Sequence, residues 1–173
     1  MPADITALAQ DRIKTPIGAL LIVHDDDGRL CAAEFHDHED RLHRSLRLAY
    51  ATYDLRNARA ASKLRDRIEA YFAGRLDAIA QIEIATAGTA FQEKVWRALR
   101  RIKPGRTLTY GALARRIGEA KAIRAVGAAN GANPVSVIVP CHRLIGANGS
   151  LIRYGGGLER KRWLLQHEGV ALE

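Results

Sequence analysis

The chain changes character at Thr86-Ala87-Gly88-Thr89, and that change constrains its fold more than any other feature. Upstream, short apolar runs alternate with segments of helical period. Thr15-Pro16-Ile17-Gly18 opens a strand over 19–23, His24 to Arg29 is a polar turn centred on Asp27-Gly28, and 30–35 forms the second strand of a hairpin. Leu42, Leu46 and Ala49 predict a helix over 40–49. Leu64, Ile68 and Phe72 predict another over 61–73, stopped by Gly74. Residues 79–84 read as a further short strand. Downstream the pattern is helical and basic. Thr89 or a neighbour caps a helix carrying Phe91, Val95, Trp96 and Leu99, and Pro104-Gly105 ends it. Two short helices over 110–117 and 120–130, with Gly118 between them and Ile123 and Val126 inward, match a helix-turn-helix. Asn133-Pro134 precedes an apolar run over 135–139, and a glycine-rich loop over 146–157 precedes a last helix from Leu158 to about His167. The expected architecture is an α/β N-terminal domain over 1–85, a small sheet plus helices, followed by a mostly α-helical C-terminal domain over 86–173.

A length of 173 residues accommodates either one large core or two small ones. Lys and Arg outnumber Asp and Glu by 27 to 19, and the net charge of +8 favours a polyanionic partner without specifying one. Two cysteines, Cys31 and Cys141, form no Cys-x-x-Cys, which argues against a disulfide scaffold and for the reducing cytoplasm. The N-terminal segment contains Asp4 and lacks the apolar stretch of a signal peptide, and no run is long enough to span a membrane.

The apolar run ends in Pro140-Cys141-His142-Arg143. A thiol is a poor nucleophile until deprotonated, and a positioned imidazole can take its proton directly or through a water. Adjacent residues converge only in a turn, and the imidazole needs an orienting partner, for which Glu168 at the end of the last helix is the candidate. The competing reading is a buried, inert cysteine beside a surface histidine. Arg97, Arg100, Arg101, Lys103, Arg106, Arg115, Arg116, Lys121 and Arg124 crowd the preceding segment. The second short helix offers Lys121, Arg124 and Asn130 among small residues such as Ala125 and Ala129, which permit close approach to a groove wall. This suits shape-based, sequence-tolerant binding of DNA in the minor groove, against the plainer reading of a solvated basic face. A thiol cannot reach a base inside a duplex, so such a protein must extrude the nucleotide. The loop over 148–157, with Tyr154 to pack on a base and glycines exposing N–H groups, is suitable pocket wall.

In this order these segments resemble the O6-alkylguanine-DNA alkyltransferase family, the methylated-DNA–protein-cysteine methyltransferases. The resemblance rests on GTAFQEKVWRALRRIKPGRTLTYGALARRIG from Gly88, RAVGAANGANP from Arg124, VIVPCHRLIG from Val137 and NGSLIRYGGGLERKRWLLQHEG from Asn148. It implies a ribonuclease H-like first domain and a direct-reversal repair reaction in which Cys141 attacks the alkyl carbon on guanine O6. By the same resemblance His142 takes the thiol proton through a water, Glu168 orients it, and Tyr110 donates toward guanine N3. Arg124 fills the gap left by the extruded nucleotide, with Lys121, Ala125, Ala129, Asn130 and Arg115 also on the DNA. Asn133 acts as a hinge. Pro140, Leu144, Arg153, Tyr154, Gly155 and Gly156 form the substrate pocket. The product thioether offers water no carbonyl to attack, so the protein is consumed in one turnover, with no cofactor. The implied partner is double-stranded DNA carrying O6-alkylguanine, with O4-alkylthymine as a second lesion, bound by a monomer with no membrane association.

Two departures stand out: Arg153 adds a charge beside the pocket, and Gly155 replaces the hydroxyl residue of some relatives. The cluster Cys31, His36, His38, His43 does not fit a standard zinc spacing, so no metal is expected. A damage-recognition relative lacking the nucleophile, a fused transcriptional sensor and a plain helix-turn-helix repressor are less consistent with Cys141 and its surroundings. A turning-over cysteine hydrolase leaves the basic helices unexplained.

Overall fold

Strands β2 (Leu20–Asp25) and β3 (Leu30–Phe35) form the hairpin that Asp27-Gly28 predicts. The Asp25 carboxylate accepts from the N–H groups of Asp27 (3.0 Å) and Arg29 (2.9 Å), and Gly28 adopts the positive φ of 76° that the turn requires. The computed structural model describes residues 4–172, in two units that divide between Ala87 and Gly88. In the first, β1 (Thr6–Ile13) pairs antiparallel with β2, and β4 (Tyr53–Asn57) pairs parallel with β1, giving the sheet order β3-β2-β1-β4. Neither β1 nor β4 is legible in the sequence. TALAQDRI is rich in helix formers and YDLRN is mostly polar, so pairing with β2 and β1, not propensity, makes them strands.

Helix α1 (Glu39–Ala49) lays Leu42 and Leu46 on Leu8, Leu21, Val23, Cys31 and Ala32 to form one core cluster. Leu20 and Ile22, on the other face of β2, are equally buried. A strand covered on both faces reads as a continuous apolar run, as LLIV does. Helix α2 (Ser62–Phe72) is tied to β1 through Arg65 and Asp11, whose carboxylate also accepts from the Ala60 N–H at 2.8 Å.

The strand expected over 79–84 is absent. Ala78–Gln81 is a 3-10 turn, and only Ile84 reaches β3's Leu30, as a single bridge. Ile79 and Ile82 lie three apart, and both bury by winding the chain (Ile82 N–H to Ile79 O, 3.3 Å) where strand alternation would have put them on opposite faces.

The second unit opens with α3 (Ala90–Arg100). Thr89 and Gln92 form a reciprocal capping box: Gln92 N–H donates to Thr89 Oγ1 (3.1 Å) and Thr89 N–H to Gln92 Oε1 (3.0 Å). A second threonine, Thr109, caps α4 (Tyr110–Arg116). The chain reverses at Gly118, with φ 77°, and α5 (Ile123–Gly131) follows. Helix α5 starts three residues later than the sequence suggests, because Ala122 N–H closes a turn on Glu119 O (2.8 Å) first. Val126 is buried, but Ile123 sits in the first turn with 46% of its surface exposed, so it does not face inward as expected. Helix α5 packs on α3 and α4. Its last turn leaves the Ala129 carbonyl without a helical donor, and the Trp96 indole N–H supplies one at 2.8 Å. A two-residue parallel ladder joins β5 (Leu108–Thr109) to β6 (Leu144–Ile145), and α6 (Leu158–His167) closes the unit. Among the described residues no helix is long and apolar enough to cross a membrane.

Candidate active site

The apolar run from Val135 to Val139 is buried throughout, yet it is not a strand. Asn133 bridges its two ends: Nδ2 donates to Val139 O (2.8 Å) and Oδ1 accepts from Val135 N–H (3.0 Å). Between them Val137 has φ 74°, a left-handed conformation costly for a β-branched residue, on the order of 1–3 kcal/mol. The run ends at Pro140, and Cys141–Arg143 winds into a 3-10 turn. Strand β6 follows at once and pairs with β5, which leads straight into Tyr110. The two-residue ladder therefore brings Tyr110 to the Cys141 turn.

Glu168, just past α6, completes the cluster. His142 Nε2 lies 2.6 Å from Glu168 Oε1, with both side chains fully buried. Arg143 makes a forked contact with the same carboxylate, Nε to Oε2 at 2.9 Å and Nη2 to Oε1 at 2.8 Å, and its Nη1 donates to the Ile102 carbonyl. Burial pushes the Glu168 pKa up, but His142 and Arg143 outweigh it and hold the carboxyl well below the usual carboxylate range. A carboxylate can only accept, so His142 Nε2 carries the hydrogen. Burial, opposed by Glu168, lowers the His142 pKa, so at neutral pH the ring is uncharged and Nδ1 presents a lone pair. Nδ1 is buried and makes no hydrogen bond to the protein. The result is a neutral imidazole fixed in one tautomer, next in the chain to Cys141, with one nitrogen available for a proton.

Around this line the Tyr154 ring meets the His142 ring edge-on, with centroids 6.4 Å apart. Tyr110 is partly buried, and its hydroxyl oxygen is shielded without a well-formed hydrogen bond. Burial and then Cys141 raise its pKa, with Arg153 and Asn130 pulling the other way, so the phenol keeps its proton at neutral pH. Pro140, Leu144 and Gly156 are buried, whereas Arg153 is exposed with φ 50°. Of the residues expected on DNA, Arg115, Lys121, Arg124 and Ala125 are exposed. Ala129 and Asn130 face inward, 3% and 6% exposed, which takes them off that face. Among the described residues no group of three or more Cys, His, Asp or Glu is placed to hold a metal ion. Cys31 lies in the core, and His43 contacts Glu39.

Two buried cations escape the sequence reading. Arg143 is given no role in the sequence reading, although it adjoins His142. Lys161 is 0% exposed, and its Nζ donates to the carbonyls of Leu144 (2.5 Å), Ile152 (2.8 Å) and Arg153 (3.3 Å). The available signal was spacing: Lys161, Leu164, Leu165 and Glu168 occupy one helical stripe, and a lysine within an apolar stripe calls for acceptors.

Comparison with known proteins agrees with this division. Residues 10–86 match the family model described as 6-O-methylguanine DNA methyltransferase, ribonuclease-like domain, and residues 90–170 match that of the DNA binding domain of the same family. A methylated-DNA–protein-cysteine methyltransferase of Salmonella typhimurium is 48% identical over 167 residues, covering 95% of this chain and 98% of that protein. That of Haemophilus influenzae is 39% identical over 170 residues, covering 96% and 89%. The crystal structure of Mycobacterium tuberculosis OGT in complex with DNA superposes with a TM-score of 0.77 at 40% identity, covering 94% of this chain and 92% of that one. With both domain models matched in order and near-full-length identity to such relatives, the chain belongs to the 6-O-methylguanine DNA methyltransferase family.

Proposed function

We propose that this protein repairs DNA by direct reversal, moving the alkyl group of O6-alkylguanine onto its own Cys141. The observation that carries the reading is the buried His142–Glu168 pair, next in the chain to the buried Cys141 and at the end of the ladder that also delivers Tyr110. The relatives named methylated-DNA–protein-cysteine methyltransferase support the same chemistry. His142 Nδ1 accepts the Cys141 proton through a water, and the Sγ lone pair forms a bond to the alkyl carbon. The carbon–O6 bond breaks, its electron pair passes into the purine, and Tyr110 Oη–H donates a proton toward N3 of the leaving base. The thioether on Cys141 has no leaving group that water can displace, so each molecule acts once, without a cofactor.

The exposed face of the helix-turn-helix formed by α4 and α5 carries the duplex contacts. Arg115 and Lys121 neutralise phosphates, Ala125 lets the backbone approach, and Arg124 enters the stack where the guanine has left. Asn133 couples α5 to the Cys141 turn, and Pro140, Leu144, Tyr154, Gly155 and Gly156 shape the base pocket, with Arg153 at its mouth. The protein works as a monomer in the cytoplasm. Arg124→Ala should leave binding to undamaged duplex within about threefold, since Arg115 and Lys121 keep the phosphate contacts and only one positive charge is lost. It should slow transfer by about one to two orders of magnitude, because extrusion costs a few kcal/mol and Arg124 offsets part of it. Single-turnover rates on a duplex with one O6-methylguanine measure this.

The deciding test is intact-protein mass after incubation with that duplex. One added methylene, about 14 Da, saturating at one per protein, is the expected result of irreversible self-alkylation. Lesion binding without a mass change would instead identify a damage-recognition protein, and repeated turnover would identify a hydrolase.

A further inference from the structure

Lys161 has no part in the reaction as written, yet it is the one lysine among the described residues that is fully buried. Its three donors are all spent on backbone carbonyls: Leu144, three residues past Cys141, and Ile152 and Arg153, just before Tyr154. Those carbonyls belong to two separate stretches of chain that flank the pocket. Besides these bonds, the loop from Gly146 to Gly157 meets the Cys141 turn through the edge-on contact of the Tyr154 ring with His142. Its internal contacts are short-range, such as Gly146 N–H to Ser150 O (2.9 Å) and Ser150 Oγ to Asn148 Oδ1 (2.6 Å). Arg153 and Gly157, at φ 50° and 95°, mark a backbone that does not hold its path by regular structure.

We propose that Lys161 is a positioning residue: its ammonium group clamps the Tyr154–Gly156 segment onto the Cys141 turn and so fixes the width of the base pocket. The inference rests on the alkyl-transfer reading above. Burying a cation is costly, and an ammonium with three carbonyl acceptors recovers that cost only where the acceptors stay in place. Burial lowers its pKa to about 8, against a raising influence of Cys141, so the clamp is largely charged at neutral pH. Because the two walls are joined through one group, removing it should change how well the guanine is held for attack more than how well the protein holds DNA.

Lys161→Met keeps the aliphatic stem and removes the donors, while Lys161→Gln restores two N–H donors without charge. Two reactions separate pocket from thiol: methyl transfer from an O6-methylguanine duplex, resolved into maximal rate and half-saturating DNA concentration, and carbamidomethylation of Cys141 by iodoacetamide, which needs the thiol but no pocket. The expectation for K161M is a maximal transfer rate at least about tenfold lower, with half-saturation and iodoacetamide reactivity within about threefold of wild type, as loss of orientation predicts. K161Q should recover part of the rate, and if K161M melts below the assay temperature, K161Q carries the comparison. Transfer by the variants at the wild-type rate overturns the proposal alone, as does an equal loss in both reactions, which would place the effect on the thiol. Absence of transfer by wild type overturns the alkyl-transfer reading and the proposal with it.

Discussion

Cys141→Ser is expected to end alkyl transfer, by on the order of 10⁶-fold, the scale of removing a reaction's nucleophile. The substitution keeps the shape of a side chain that is only 6% exposed, so the fold and the α4–α5 face should survive. A hydroxyl is not ionised by a neutral imidazole to any useful extent, whereas a thiol sits within a few pK units of it. The checks are the absence of a mass shift on O6-methylguanine duplex, retained binding to that duplex, and an unchanged thermal midpoint. A serine variant that still gained mass would move the acceptor elsewhere.

Glu168→Gln combines a kinetic and a stability effect. The carboxylate fixes the His142 tautomer by accepting from Nε2. An amide can present its NH₂ there instead, which switches the tautomer, places the ring hydrogen on Nδ1 and removes the lone pair that would take the thiol proton. Loss of an imidazole-orienting carboxylate slows comparable sites by about 10⁴-fold, and transfer should fall by a similar factor. The same change leaves the Arg143 guanidinium buried without its counter-charge, a destabilisation of about 3–5 kcal/mol. Urea melts of the two proteins, together with single-turnover rates at 10 °C where both are folded, separate the effects.

The pH dependence has a definite sign. Glu168 titrates lower in the folded protein than in the unfolded chain, so its stabilisation is complete above about pH 4.3 and is lost as pH falls below that value. His142 also titrates lower when folded, so the unfolded chain takes up its proton first, and stability begins to decline below about pH 6.5. The thermal midpoint of wild type should fall on acidification from pH 7. In Glu168→Gln the decline below about pH 4.3 should be shallower, with Asp11, also held below its usual range, still contributing.

How much of this could be read in the chain depends on where the stabilising contacts come from. The hairpin, α1, α2, the Thr89 cap and α6 are set by local signals, a turn sequence or an apolar stripe, and these are legible. Strands β1 and β4 exist only because β2 and β1 accept them, and no local pattern in YDLRN announces that. Cys141, His142, Tyr110 and Glu168 stand out by residue type and by resemblance; the structure pairs His142 with Glu168 and ties the strand before Tyr110 to the strand after the Cys141 turn. Arg143 and Lys161 were hidden because arginine and lysine read as surface residues until their acceptors are known, and those acceptors lie 8 to 41 residues away in the chain. Ala129 and Asn130 were misplaced for the converse reason: a helix of small residues has little apolar contrast, so its inward face is set by Trp96 and α3 rather than by its own pattern.

The hydrogen bond from Trp96 to the Ala129 carbonyl also gives the molecule an optical handle. The chain has two tryptophans, and the other, Trp163, stacks on His167 with ring centroids 4.6 Å apart. Indole emission responds to the polarity and hydrogen bonding of its N–H, so Trp96 is wired to the last turn of α5, the helix assigned to the duplex. A shift of that helix by a fraction of an ångström, too small to register as a change in shape, alters the donor geometry and therefore the colour of the fluorescence. With Trp163→Phe removing the second emitter, the unlabelled protein would report in real time when α5 engages DNA.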